Sequence, residues 1–414
     1  YRTYMAGKWH FGPLTTNDDI IGKISPAAYG FDRSFNLHGG AGNHFDTTGF
    51  YQGGSVFYEN GKPVTYPTGA YSTELYTDKL LSYLEADHDS DKPFFIYAAY
   101  TSPHWPLQVP KDELELYAGR YDMGYDKLRE KRIESLIAAD IIPRKLPLPA
   151  ENNKVTPWNE LNNNSRKIES RKMELYAAMV DNLDRHVGRL TDYLKKNALF
   201  ENTIIVFISD NGAASEQFYE RGRFSDYLQA NYKNIYSTMG HPDSWVSYGP
   251  AWAEAGAPAR LYKGYATEGG TLAPMIISGP GIESNRTIHR EFVSISDLAP
   301  TFYAFSGAQY PKELAPMTGK SIMPILTGQA LSVRNNKDVT VFFQSHDAGL
   351  WQGQWKLLNI KVPFDESNFE LYNLRKDPAE TTDLSVSEKE KRAELIALWR
   401  IERKRLGILL PEDL

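Results

Sequence analysis

The chain has 414 residues, 41% apolar and 13% aromatic, which is ample for a sizeable core and too long for one ordinary domain. Its formal net charge of −6 is mild and argues against a nucleic-acid footprint, which would be basic and clustered. No apolar run reaches the length that spans a bilayer, and the absence of cysteine excludes disulfides, thiolate metal sites and cysteine nucleophiles within these residues.

The sequence opens at Tyr1, without Met and in strand-like character, so residues are expected upstream and the compartment is left open. Ser72 to Leu84 predicts a helix with Leu75, Leu80, Leu81 and Leu84 inward. Pro93 to Tyr100 is a short apolar run ending at Ser102-Pro103, the pattern of a strand buried on both faces. From about Lys111 to Arg171 the chain is polar and proline-bearing, an expected excursion from the core, helical around Leu128 to Ala139. Met173, Tyr176, Val180, Leu183, Val187, Leu190 and Leu194 then share one face of a long helix. Two more apolar strands follow, Asn202 to Ser209 before Asp210-Asn211-Gly212, and Ala273 to Ser278 before Gly279-Pro280-Gly281.

Helices alternating with continuous apolar strands predict an α/β fold with a mostly parallel sheet flanked by helices. The character changes near Thr327-Gly328. Val339 to Phe343, Gly353 to Ile360 and Phe369 to Leu374 predict an antiparallel meander, and Glu388 to Leu406 an amphipathic terminal helix. The expected division is a large domain over 1–329 and a small α+β domain over 330–414. Asn163-Asn164-Ser165 and Asn285-Arg286-Thr287 fit the glycosylation pattern.

In an open parallel sheet, ligands bind outside the carboxyl ends of the strands. His104, Asp210 and Asn211 each fall just past such an end. Asp210 and Asn211 offer adjacent oxygen donors of the kind calcium or magnesium takes, but calcium wants roughly six to eight, and Asp-Asn-Gly is also a common turn. Lys8 and His10 point to one side of an extended segment, where an ammonium beside an imidazole suits an anionic substrate. Read alone, that pair is an exposed strand end. Lys263 precedes Glu268-Gly269-Gly270, whose glycines predict close backbone approach, although a surface lysine in a loop looks the same. His88 and His186 are expected in solvent. His44 and His241 are candidates to line a pocket, without a catalytic role.

Taken in order, Tyr1 to Gly12, Ser102-Pro103-His104-Trp105-Pro106-Leu107, Ser209-Asp210-Asn211-Gly212 and Leu261-Tyr262-Lys263-Gly264 with Glu268-Gly269-Gly270 resemble the type I sulfatases of the alkaline phosphatase superfamily, bacterial arylsulfatases above all. The likeness continues through Asp297-Leu298-Ala299-Pro300-Thr301 and Gly353-Gln354-Trp355-Lys356-Leu357. The resemblance implies a small-molecule sulfate ester as substrate. It implies Asp210 and Asn211 as two of the four side-chain ligands of a calcium ion, with Mg2+ as the other candidate. Lys8 and Lys263 would clamp the sulfate oxygens, His104 would supply the departing alcohol's proton, and His10 would orient and deprotonate the nucleophile. That nucleophile is a formylglycine hydrate, made by a maturation enzyme from a Cys/Ser-x-Pro-Ser-Arg motif. Neither that motif nor the family's Asp-Asp metal pair occurs in the 414 residues, and both are expected upstream.

One rival is a phosphate or phosphonate ester hydrolase of the same superfamily. Its zinc or manganese members carry Asp-His where this chain has Asp210-Asn211, and amide oxygen suits calcium better. The other rival is a non-catalytic binding protein on this fold, for which so many convergent polar groups serve no purpose.

Overall fold

The computed structural model describes residues 1–13, 17–149, 152, 155–256, 258–283 and 287–410. Asn285 and Arg286 of the second glycosylation pattern lie outside them. The elements, in chain order, are β1 (Arg2–Trp9), α1 (Asp18–Ile24), β2 (Arg33–His38), β3 (Val56–Glu59), β4 (Lys62–Val64), α2 (Ser72–Ala86), β5 (Phe94–Ala99), α3 (Gly124–Ala138), α4 (Asn163–Lys196), β6 (Ile205–Ile208), α5 (Ser225–Asn231) and α6 (Gly249–Gly256). They continue as α7 (Glu268–Thr271), β7 (Met275–Ser278), α8 (Leu298–Ser306), α9 (Met323–Leu326), β8 (Val339–Gln344), β9 (Asp347–Gln352), β10 (Trp355–Asn359), β11 (Glu370–Asn373) and α10 (Lys389–Leu406).

The chain forms two compact units, one of Tyr1–Leu128, Lys154–Phe200 and Ala214–Ala253, the other of Arg129–Asn153, Glu201–Ala213 and Glu254–Leu414. The first is built on a sheet of order β4-β3-β2-β1-β5. β1 runs parallel to β2 and to β5, while β3 and β4 add an antiparallel hairpin at the far edge. Alternate residues decide which face is core: Tyr4 and Ala6 of β1, Phe35 and Leu37 of β2 and Phe57 of β3 meet Leu75, Tyr76, Leu80, Tyr83 and Leu84 of α2. Leu81 is only half-buried. β1 and β5 approach so closely at Gly7, φ 120°, that a Cβ there would stand 1.9 Å from the Ala99 carbonyl oxygen.

The long helix is present as α4, its first turn capped by Asn162 Oδ1, which accepts from Ser165 N–H. Its buried stripe is more polar than the apolar spacing predicts. Val180 is 41% exposed, whereas Arg171, Glu174 and Asn182 are buried. The cause lies in the preceding irregular segment: Arg171 donates to Leu114 O at 2.8 Å, Gly119 N–H to Glu174 at 2.8 Å, and Asn182 to Glu113 at 2.9 Å. His186, expected in solvent, is in fact only 9% exposed, because α4 packs on α2 along that side. Burial and neighbouring arginines lower its pKa. His88 is exposed, as expected.

In the second unit β6 and β7 form an antiparallel pair. Ile277 packs with Ile322, Ile325 and Leu326. Burial on both faces does not hold for these strands, nor for β5. Phe207 and Ile276, opposite each other in register, are 44% and 65% exposed, and Phe95 and Tyr97 of β5 are 38% and 47% exposed. In β5, Phe94, Ile96 and Ala98 join the α2 core, while on the other row Phe95 lies against Phe31 and Tyr97 is half exposed.

Beyond them lies an antiparallel sheet of order β11-β10-β9-β8, the expected meander. Ala348, Leu350, Leu357 and Leu371 pack against Leu395 and Trp399 of α10. Strand β9 was not legible, because Asp-Ala-Gly-Leu-Trp-Gln holds no β-branched residue and no alternation.

Candidate active site

Each unit carries part of the expected residue set. In the first unit, Lys8 and His10 lie at the carboxyl end of β1, and His104 follows the carboxyl end of the adjacent parallel strand β5. Parallel neighbours end on the same side, so the sheet brings these residues to one rim. Lys8 is half-buried and His10 exposed. Gly40 makes room for the His10 ring: a Cβ at 40 would stand 2.8 Å from His10 Cε1. Sequence reading singled out the histidine but not its glycine.

The His104 loop is held from several directions. His104 N–H donates to Thr101 O at 2.9 Å, and the ring lies 4.3 Å, centroid to centroid, from that of Trp105. Nδ1 meets Trp105 O at 2.8 Å. A carbonyl only accepts, so Nδ1 carries the proton and Nε2 is the basic nitrogen of the neutral ring. His44 supports this loop. It is fully buried, its Nε2 donates to His104 O at 3.3 Å, and Ser72 Oγ lies 2.6 Å from its Nδ1. Burial pushes the His44 pKa down to about 4, so it is neutral at ordinary pH. Its location in the glycine-rich Gly39 to Phe50 stretch was the signal, and the structure makes it a support rather than an acid or base. Gln108, which sequence reading passed over, accepts from His44 N–H at 2.9 Å and donates to Ser244 O at 2.9 Å.

In the second unit, the loop after β6 and the lysine loop are stapled together. Lys263 N–H donates to Ala213 O at 3.0 Å, and Gly212 N–H donates to Gly270 O at 3.0 Å. The glycines are a steric requirement: a Cβ on Gly212 would stand 1.9 Å from Gly269 O, and one on Gly270 would stand 2.1 Å from Tyr265 O. Asp210, Asn211 and Lys263 therefore sit on adjoining loops. Asp210 is exposed, Asn211 and Lys263 half-buried. Asn211 donates its amide to Gly212 O at 2.9 Å, which reserves Oδ1 as its acceptor.

A carboxylate and an amide oxygen side by side fit a hard divalent cation in kind. They do not complete its shell, since among the described residues no group of three or more His, Asp or Glu is gathered as a metal site. Also among the described residues, no helix is long and apolar enough to cross a membrane.

The sulfatase family model matches residues 1–308, and a model of the N-sulphoglucosamine sulphohydrolase C-terminal region matches residues 261–404. The chain belongs to the sulfatase family, hydrolases of sulfate esters in the alkaline phosphatase superfamily. It is 35% identical over 338 residues to an arylsulfatase of Klebsiella aerogenes, covering 78% of this chain and 70% of that protein. An uncharacterised sulfatase of Schizosaccharomyces pombe is 31% identical across 100% of this chain and 76% of its own length. A crystal structure of a protein in complex with a neocarrahexaose superposes with a TM-score of 0.63 at 23% identity, over 97% of this chain and 71% of that one, a likeness of fold.

Proposed function

We propose that this sulfuric ester hydrolase acts on aryl sulfates, with Lys8 and Lys263 binding the sulfate oxygens and His104 serving the leaving group. The observation that carries the reading is the bond from Lys263 N–H to Ala213 O, which holds the backbone of the lysine loop against the loop of Asp210 and Asn211. The likeness to the Klebsiella arylsulfatase supports the aryl substrate.

The chemistry assigned to the chain's own residues is positional and protolytic. Two ammonium groups hold the transferring group by charge. His104, its Nδ1 engaged by Trp105 O, presents Nε2 to the ester oxygen; protonated there as well, as the imidazolium, it gives up the Nε2 proton as the alcohol departs and is left as the neutral ring. His10 takes the nucleophile's proton. A calcium or magnesium ion on Asp210 and Asn211 would act as Lewis acid on the sulfate oxygens. We also infer that residues 330–414 are a separate small domain.

The test is turnover of an aryl sulfate. No Cys/Ser-x-Pro-Ser-Arg motif lies within the 414 residues, so this chain alone is expected to give none, even with calcium. In a form that carries the nucleophile segment, Lys263→Ala should lower the rate on the order of a hundredfold. Near-full turnover by that variant removes Lys263 from the site, and calcium-dependent turnover by the 414 residues alone shows that the nucleophile lies among them.

A further inference from the structure

The Lys263 loop is anchored along its length to β9–β11 and the segment that follows. Ala266 N–H donates to Asp347 at 3.1 Å, and Arg260 pairs with Glu370 at 2.9 Å while its guanidinium lies over the Tyr372 ring. The strongest anchor is at Glu268. Its carboxylate receives Lys356 Nζ at 2.7 Å and Trp351 Nε1 at 3.2 Å, and its own backbone N–H donates to Glu380 at 3.1 Å. Lys356 Nζ also lies 2.6 Å from Glu380 Oε1, an ion pair more than an aligned hydrogen bond. The Lys356 and Glu380 side chains are both 0% exposed. A buried ammonium between two carboxylates is costly to desolvate and is a poor source of stability compared with apolar packing. It does fix direction, because a charge taken out of water has no substitute partners.

We propose that Lys356, with Glu380, is a positioning residue that orients the Lys263 loop through Glu268. Glu268 is the residue immediately before Gly269-Gly270, and Gly270 O accepts from Gly212 N–H beside Asn211. A displacement of Glu268 therefore passes to the lysine and to both oxygen donors together. The role assigned here rests on the reading of Lys263 as a sulfate-binding residue. It gives the C-terminal sheet a part in the site without any residue of that sheet touching substrate.

The experiment is amide hydrogen exchange on the 414-residue chain, comparing Glu268→Gln and Lys356→Met with the unaltered protein. Glu268→Gln keeps shape and leaves the Lys356–Glu380 pair in place. It should speed exchange in 209–213 and 260–271 about tenfold or more, while β9 and β10 keep their protection. Unchanged exchange in those loops overturns the proposal, as does equal loosening of the whole β8–β11 sheet by Glu268→Gln. In a nucleophile-bearing form, Lys356→Met should lower kcat but add little further loss to a Lys263→Ala chain. Independent, multiplicative losses would also overturn it. If Lys263→Ala is itself silent while the loops still loosen, the reading of Lys263 fails and the positioning of the loop stands.

Discussion

The sheet of β8–β11 and the strands β5, β6 and β7 are covered very differently. All six residues of β9 are buried, and α10 lays Leu395 and Trp399, both 0% exposed, on the same core. In β5 Phe95 and Tyr97 are partly exposed, and in the β6–β7 pair Phe207 and Ile276 are too. One face of the C-terminal sheet is thus covered by α10 and the other by the Lys263 loop, where Ala266 meets Leu358 and Tyr372, whereas the other strands present apolar residues at the surface. An apolar run reveals a strand but not how many of its faces are covered. Exposed apolar rows of this kind mark surfaces with something to bury.

Trp399→Ala should show the largest effect, because the ring packs with Phe343, Phe364 and Phe369 at the centre of the closed core. The expected loss is about 3–5 kcal/mol. Hydrogen exchange of β9 and β10 amides measures it, and β1 to β5 should keep their protection. Loss of protection in both places would mean that the two sheets unfold as one, and the contrast would lose its energetic meaning.

Acid separates the two regions by sign. His44 is neutral in the folded protein, its pKa pushed down to about 4 by burial against an ordinary value of 6.5. The unfolded chain binds this proton first, so stability is lost as pH falls from about 6.5 through about 4, by roughly 3 kcal/mol in all. Asp347 and Glu380, around the Lys263 loop, have pKa values raised by burial. For them the folded state holds the proton more tightly, and the burden of a buried charge eases as pH falls. Exchange profiles between neutral pH and pH 4 should show loosening around His44, and His44→Gln should flatten it. A profile around residue 44 that ignores pH would sink this assignment.

The sequence made β5 and β6 legible because each is an apolar run that ends in polar residues, as at Ser102-Pro103-His104 and Ser209-Asp210-Asn211. It also made Gly269 and Gly270 legible as close approaches, which they are, whereas Gly212, part of a turn sequence, proves to be a third. What it concealed is tertiary. Nothing in Gly353-Gln354-Trp355-Lys356-Leu357 marks Lys356 as buried, and only packing shows it against Glu268 and Glu380. The burial of His186 is hidden too, because helical spacing reports apolar residues, while α4 also buries charged and amide groups that find partners in an irregular segment. β2 alternates polar and apolar residues, yet both faces are covered, with Ser34 and Asn36 at 0% exposure.

The smallest expected effect bears most directly on the comparison. Phe207→Thr replaces a 44% exposed ring with a residue that suits a strand equally well. The ring's partner across the ladder, Ile276, is itself 65% exposed, so little packing is lost and little water-shielded area changes. Stability should move by no more than about 0.5 kcal/mol. Removing a large apolar group from an exposed strand should at the same time raise the concentration at which the chain stays monomeric, since such rows template association. Urea unfolding of this unit and light scattering over a concentration series measure the two quantities. A destabilisation above about 2 kcal/mol, of the size core truncations give, would mean that this face is buried in solution, and the contrast with β9 would fall.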